Sequence, residues 1–157
     1  MSPRILVCTV VAAAMTASAT AARAQSPSSM LIGRATYDGP LKVKRSVPSD
    51  WKVAVDATPA LDIAVQVIDF PPQSQSTWHT HPGPVFISVV SGRITFYDAD
   101  CQPTIRSAGE GFLDTGSSPH IARNEDPIVP ARNVVTYFAP QGAALRIDEP
   151  APPTCTF

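Results

Sequence analysis

The sequence has little room for helix. Its 17 prolines fall almost entirely beyond residue 24 and leave few intervals long enough for one. It also lacks a basic excess, with 12 Lys and Arg against 13 Asp and Glu. No run of basic residues and no aromatic platform among basic residues is present. Nucleic acid and anionic membrane are therefore poor partners. No phosphate-cradling glycine-rich loop occurs. Beyond the N-terminal segment there is no second long apolar stretch, so a soluble mature chain is expected. Histidine and cysteine are scarce, at three each, which makes the position of every one informative.

Residues 1–24 have the layout of a secretory signal peptide. Arg4 gives the positive start, Ile5 to Ala14 form an apolar region broken only by Thr9, and Ala22-Arg23-Ala24 fits a small-x-small cleavage site. The apolar run is too short, and too poor in large residues, to span a membrane. Cys8 follows Val7 rather than a small residue, which argues against a lipoprotein site. The expected mature chain begins at Gln25, is secreted or periplasmic, and carries 10 basic and 13 acidic side chains. It divides into a leader (25–39), a domain (40–148) and a Pro-rich tail (149–157).

Two cysteines remain after cleavage, Cys101 in a turn sequence and Cys155 in the tail. In an oxidising compartment they predict one disulfide that pins the tail to the body. Closing a loop of this length stabilises by about 4 kcal/mol in the chain-entropy account. Metal ligation by cysteine is disfavoured, because neither lies near a histidine in sequence.

Between the prolines lie short runs rich in Val, Ile, Thr, Phe and Tyr. They predict strands over 41–47, 51–57, 61–70, 85–90, 93–97, 111–113, 120–123, 133–138 and 143–147. Ile63, Val65 and Val67 share one face of the third run. Ser91-Gly92 marks a tight turn. Many short strands punctuated by Gly and Pro indicate an all-β sandwich or barrel. No internal repeat is visible.

The three histidines fall in two segments, Trp78-His79-Thr80-His81-Pro82-Gly83-Pro84 and Ser118-Pro119-His120. On a strand, residues i and i+2 face one side, so His79 and His81 reach one point while Trp78 faces away. A third histidine from a neighbouring strand completes a facial set of nitrogen ligands. Imidazole suits several divalent transition metals, and three protein ligands leave positions open for a small molecule. Taken alone, His-x-His is equally well two polar residues on an edge strand.

Both segments resemble the signature motifs of the cupin superfamily. The first motif is His-x-His, three or four residues, Glu, six residues and Gly; here it spans His79 to Gly92. The second is Gly, five residues, Pro-x-Gly, two residues, His, three residues and Asn. Gly109, His120 and Asn124 match it. Gly116 stands for the turn glycine at slightly altered spacing, and Thr115 sits where Pro is common. The resemblance covers residues 40–148.

The resemblance implies a single-domain, jelly-roll-like double-stranded β-helix with one metal in its mouth. It implies His79, His81 and His120 as ligands to one divalent transition metal (Fe, Mn, Zn or Ni). The motif's glutamate falls at Val85, which cannot bind a metal. Its loss leaves the site more positive by one charge and opens a position for an anionic or bidentate oxygen ligand. Glu110 is a weak substitute ligand, more simply a solvated turn acid. Phe86, Phe96, Tyr97, Tyr137 and Phe138 are expected in core or pocket wall. Arg93 and Arg132 are surface residues with a secondary claim on an anionic substrate. No Ser-His-acid set can be argued, because each histidine is already claimed.

Two functions follow from the resemblance. One is a metal-dependent enzyme on a small molecule: a dioxygenase if iron is bound, or a hydrolase, lyase or isomerase with zinc or manganese. The other is a non-catalytic module that binds a metal or small ligand, with a weakened or vestigial site. The resemblance also allows a homodimer through strand pairing.

Overall fold

A computed structural model describes residues 25–46 and 51–157. The expected signal peptide, residues 1–24, lies outside the described residues. The chain is all-β, with no helix among the described residues. The described residues form thirteen strands: β1 (Ser28–Tyr37), β2 (Leu41–Ser46), β3 (Lys52–Ala57), β4 (Leu61–Phe70), β5 (Ser74–Gln75), β6 (His79–Thr80), β7 (Val85–Ser91), β8 (Arg93–Tyr97), β9 (Pro103–Ser107), β10 (Gly111–Asp114), β11 (Ile121–Asn124), β12 (Ala131–Pro140) and β13 (Ile147–Asp148).

One sheet has the order β1-β4-β12-β7-β10 and a second the order β5-β11-β8-β9. The pair β13-β6 and the hairpin β2-β3 complete the set. Every pairing is antiparallel. The core lies between the two large sheets. Val85, Ile87, Val135 and Tyr137 from the first meet Ile94, Phe96 and Ala122 from the second. In β12 the inward set Ala131, Asn133, Val135, Tyr137 and Ala139 alternates with more exposed residues, the period-two pattern of a strand with one buried face.

β4 turns its less apolar face inward. Ala64 and Phe70 join the core, while Gln66 and Ile68 line a cavity beside it. Ile63, Val65 and Val67 lie on the opposite face and are half-buried. A small and a polar residue on the inner face leave the space that the cavity occupies.

The expected leader is corrected by the structure. Ser28–Tyr37 is a full strand on the sheet edge, paired with β4 from Ser28↔Asp69 to Tyr37↔Leu61. All ten of its residues are exposed, so it carries no buried alternation to reveal it. Its attachment is polar. The buried Asp62 carboxylate accepts hydrogen bonds from Arg34 Nε (2.6 Å), Thr36 Oγ1 (2.6 Å) and the Gly142 amide (2.9 Å). The Thr36 hydroxyl contributes most to holding the Asp62 pKa at about 2, with the Gly142 amide and Arg34 adding to it.

Two further differences concern the far half of the chain. β9 was not expected; Pro103 begins this edge strand, where a missing amide costs no ladder bond. The strand expected over 143–147 shrinks to Ile147–Asp148. Residues 143–146 are irregular, and Leu145 and Arg146 line the cavity beside the histidines instead.

Cys101 and Cys155 form a disulfide. Cys155 packs with Trp78 and Ile121 in a second, smaller cluster, against which Tyr97 rests. Phe157 stacks on Trp78 at 6.3 Å between ring centroids, and Arg123 sits 4.4 Å over the Phe157 ring.

Candidate metal centre

Two short stretches of backbone pairing build the site. His79 and His120 form an antiparallel bridge, and the His81 amide donates to the Gly116 carbonyl at 3.0 Å. Gly116 takes φ +91°, and a Cβ there would lie 2.5 Å from the Gly83 carbonyl oxygen. Only glycine fits so close to the segment that carries His81 and Gly83.

The three imidazoles are buried, and one nitrogen from each lies within 4.8 Å of the others. Ring centroids are 4.2 Å apart for His79 and His120, 4.9 Å for His79 and His81, and 5.2 Å for His81 and His120. His79 Nδ1 donates to the Thr77 carbonyl at 2.7 Å, and His81 Nδ1 to the Leu145 carbonyl at 2.6 Å. A carbonyl can only accept, so both rings carry their proton on Nδ1 and present a free Nε2 lone pair. Metal-ligating histidines are oriented by such partners.

Burial keeps the rings neutral. It lowers His79 to about 3, with the nearby His120 and Arg146 adding to the effect. Burial also lowers His81 and His120. In both, the Asp114 carboxylate pulls the other way, joined at His81 by the Leu145 carbonyl. Neutral imidazole is the ligand form.

Sequence reasoning missed Asp114. It ends β10, where it is the cross-strand partner of Val85, and it is only 8% exposed. Its Oδ1 accepts the Gly116 amide at 2.8 Å. Its Oδ2 lies 3.2 Å from His120 Nδ1 and 3.6 Å from His81 Nε2, yet it has no hydrogen-bond partner and no contact with solvent. The available signal was an acid in phase with Phe112, a residue packed on the core, on the strand leading to His120. Glu110, the substitute weighed from sequence, is exposed in its turn and accepts the Ser107 amide at 2.6 Å.

The histidines open into a cavity of about 440 Å³ lined also by Val85, Phe96, Asn133, Tyr137 and Arg146. This is within the range of small-molecule sites. Tyr137 lies 5.5 Å from His81 between rings and donates its hydroxyl to Gln66 Oε1 at 2.9 Å. Burial raises its pKa to about 12, so it remains a donor at neutral pH. The cavity's arginine is Arg146, whose Nε pairs with Asp148 at 2.8 Å. Arg132 instead pairs with Asp69 on the exposed sheet surface. Neither Arg132 nor Arg93 lines the cavity. Of the aromatics, Phe96 and Tyr137 are buried core residues, Tyr97 and Phe138 are half-buried and Phe86 is exposed.

Asn124, four residues after His120, is a structural clamp. Its amide donates to the Phe70, Pro71 and Val129 carbonyls at 3.1, 3.1 and 2.9 Å.

Residues 66–137 match the family described as Cupin domain. The chain thus carries a cupin domain over nearly half of its length. Similar solved structures include a conserved protein with a double-stranded β-helix domain from Klebsiella pneumoniae (25% identity; 56% of this chain and 76% of that one; TM-score 0.48). Others are an RmlC-like cupin from Desulfovibrio desulfuricans (15%; 77% and 91%; 0.47) and a DMSP lyase from Ruegeria pomeroyi (19%; 54% and 42%; 0.47). Among curated proteins none matches. The matched segment of this cupin contains all three histidines, Asp114 and Tyr137.

Proposed function

We propose that this cupin is an exported metal-dependent enzyme that binds one divalent transition metal on His79, His81 and His120 and acts on a small molecule in the adjoining cavity. The observation that carries the reading is the convergence of three buried, neutral imidazoles, two with Nε2 freed by a backbone acceptor at Nδ1. When bound, the metal supplies Lewis acidity and orientation, or dioxygen chemistry if it is iron. The protein's own part is to exclude water with Val85, Ile87 and Phe96 and to present the Tyr137 hydroxyl oxygen, whose proton goes to Gln66, as an acceptor. That acceptor, together with Arg146 in the same lining, supports an enzyme over a passive binding module, because substrate can be oriented by groups other than the metal ligands. Export is supported by the character of residues 1–24 and by the Cys101–Cys155 disulfide.

The test is the metal content of mature protein purified without chelators, beside His81→Ala. Near-stoichiometric metal lost in the variant is the expected result. Iron directs the search for substrates toward dioxygen chemistry, and zinc or manganese toward lyase, isomerase or hydrolytic chemistry. No metal in either protein, even after reconstitution, would overturn the reading and leave a vestigial site.

A further inference from the structure

We propose that Asp114 supplies a carboxylate ligand to this centre, binding the cation through Oδ2 beside His81 and His120. The inference rests on the three-histidine reading above and adds a fourth protein ligand from β10.

Asp114 Oδ2 is shut off from water and has no hydrogen-bond partner. Leaving a buried acceptor unmatched is costly, and for a carboxylate more so; buried charges are paired or coordinate metals. The nearest groups to it are the His81 and His120 rings, themselves proposed to hold the cation. The His120 contact, at 3.2 Å, is not directed along a ring N–H. A cation between these groups satisfies the oxygen.

Nitrogen and oxygen ligands sit about 2.0–2.2 Å from such metals, so adjacent ligand atoms at right or tetrahedral angles are roughly 3–3.5 Å apart. Oδ2 is 3.6 Å from His81 Nε2, the nitrogen left free by the Leu145 carbonyl. The competing arrangement is a hydrogen bond from His120 Nδ1 to Oδ2 behind the ligand set, as in second-sphere carboxylates.

The Gly116 amide holds Asp114 Oδ1, and the Gly116 carbonyl accepts from the His81 amide. One residue therefore fixes both the carboxylate and the histidine strand. Directly opposed residues of an antiparallel pair share a face. Asp114 consequently lies on the same inward face as its partner Val85, which lines the cavity and holds the position where the motif resemblance expects a glutamate.

Chelator-stripped chain is titrated with Co(II), reading visible d–d absorption and affinity against a chromophoric chelator. Asp114→Asn is nearly isosteric and keeps an acceptor for Gly116. It is expected to shift the Co(II) bands and to weaken binding by more than the roughly 10–100-fold typical of second-sphere losses. Val85→Glu in the Asp114→Asn background is expected to regain affinity. Unchanged bands in folded Asp114→Asn would sink the ligand role and leave Asp114 behind His120. Wild-type chain labelled with carbon-13 at Asp carboxylates tests the same point without substitution. Addition of Co(II) must shift one carboxylate stretch in the infrared, and no shift overturns the proposal. If wild type takes up no Co(II), the three-histidine reading itself fails; if it does and Asp114 is silent, only the fourth ligand is lost.

Discussion

His79 and His120 exchange both backbone hydrogen bonds, each amide donating to the other's carbonyl at 3.0 Å. Two proposed ligands 41 positions apart in sequence are thus fixed in register by main chain rather than by side-chain packing. Substituting either ring leaves this bridge in place. His79→Ala and His120→Ala are expected to abolish metal uptake yet retain the all-β circular dichroism signature. Loss of that signature would show that the rings themselves hold the fold.

Gly116 is the weak point of the same frame. Gly116→Ala forces a Cβ against backbone in a left-handed conformation, a strain of about 1–3 kcal/mol. Equilibrium unfolding should register that loss. Metal affinity should fall with it, since the displaced neighbours are His81 and Gly83. Unaltered affinity would mean that the Gly116 turn does not position the histidines.

Acid should destabilise the metal-free protein early. His79 is lowered to about 3 when folded against about 6.5 when unfolded, so only the unfolded chain gains its proton between these values. Stability is full above pH 6.5 and declines below it, by about 2 kcal/mol from His79 alone at pH 5. Urea midpoints at pH 7.5 and 5 measure this, and His79→Gln should flatten the difference. Equal midpoints for the wild-type protein would refute it.

Reduction of Cys101–Cys155 should lower stability by about 4 kcal/mol in the chain-entropy account, less if the tail stays ordered. The same bridge packs on Trp78 and Ile121, the neighbours of His79 and His120. Cys155→Ser is therefore expected to speed metal release as well. A stability loss with unchanged release would confine the bridge to a global role.

Asp62→Asn should free β1 without dissolving the barrel. The predicted signature is fast amide hydrogen exchange over Ser28–Tyr37, with protection retained in β7 and β12. Protection retained in β1 as well would show that its ladder with β4 suffices.

The parts of this cupin legible in sequence were those with a periodic or spaced signal. The strands over 61–70, 85–90 and 93–97 announced themselves by β-branched and aromatic runs, and the histidines by i, i+2 spacing on one face. β1 was missed because an edge strand exposed on both sides has no alternation to read. Asp114 was missed because one acid on a short strand has no spacing of its own; its role depends on a cross-strand register with Val85. Leu145 and Arg146 were hidden for a further reason. Leu145 acts through its carbonyl, which every residue has, and Arg146 through a turn whose path tertiary contacts decide.

The carbonyl that fixes the His81 ring belongs to Leu145, 64 residues further along the chain. The strand partner of His79 is Asp148, and the prop beneath Trp78 is Cys155. Synthesis proceeds from the N-terminal end, so a growing chain presents all three imidazoles before the segment that sets their tautomers exists. The centre can be finished only once residues 145–155 have emerged and folded back. For the proposed metal centre, selection of the ion by the completed geometry is therefore a late event, postponed until the domain is nearly whole.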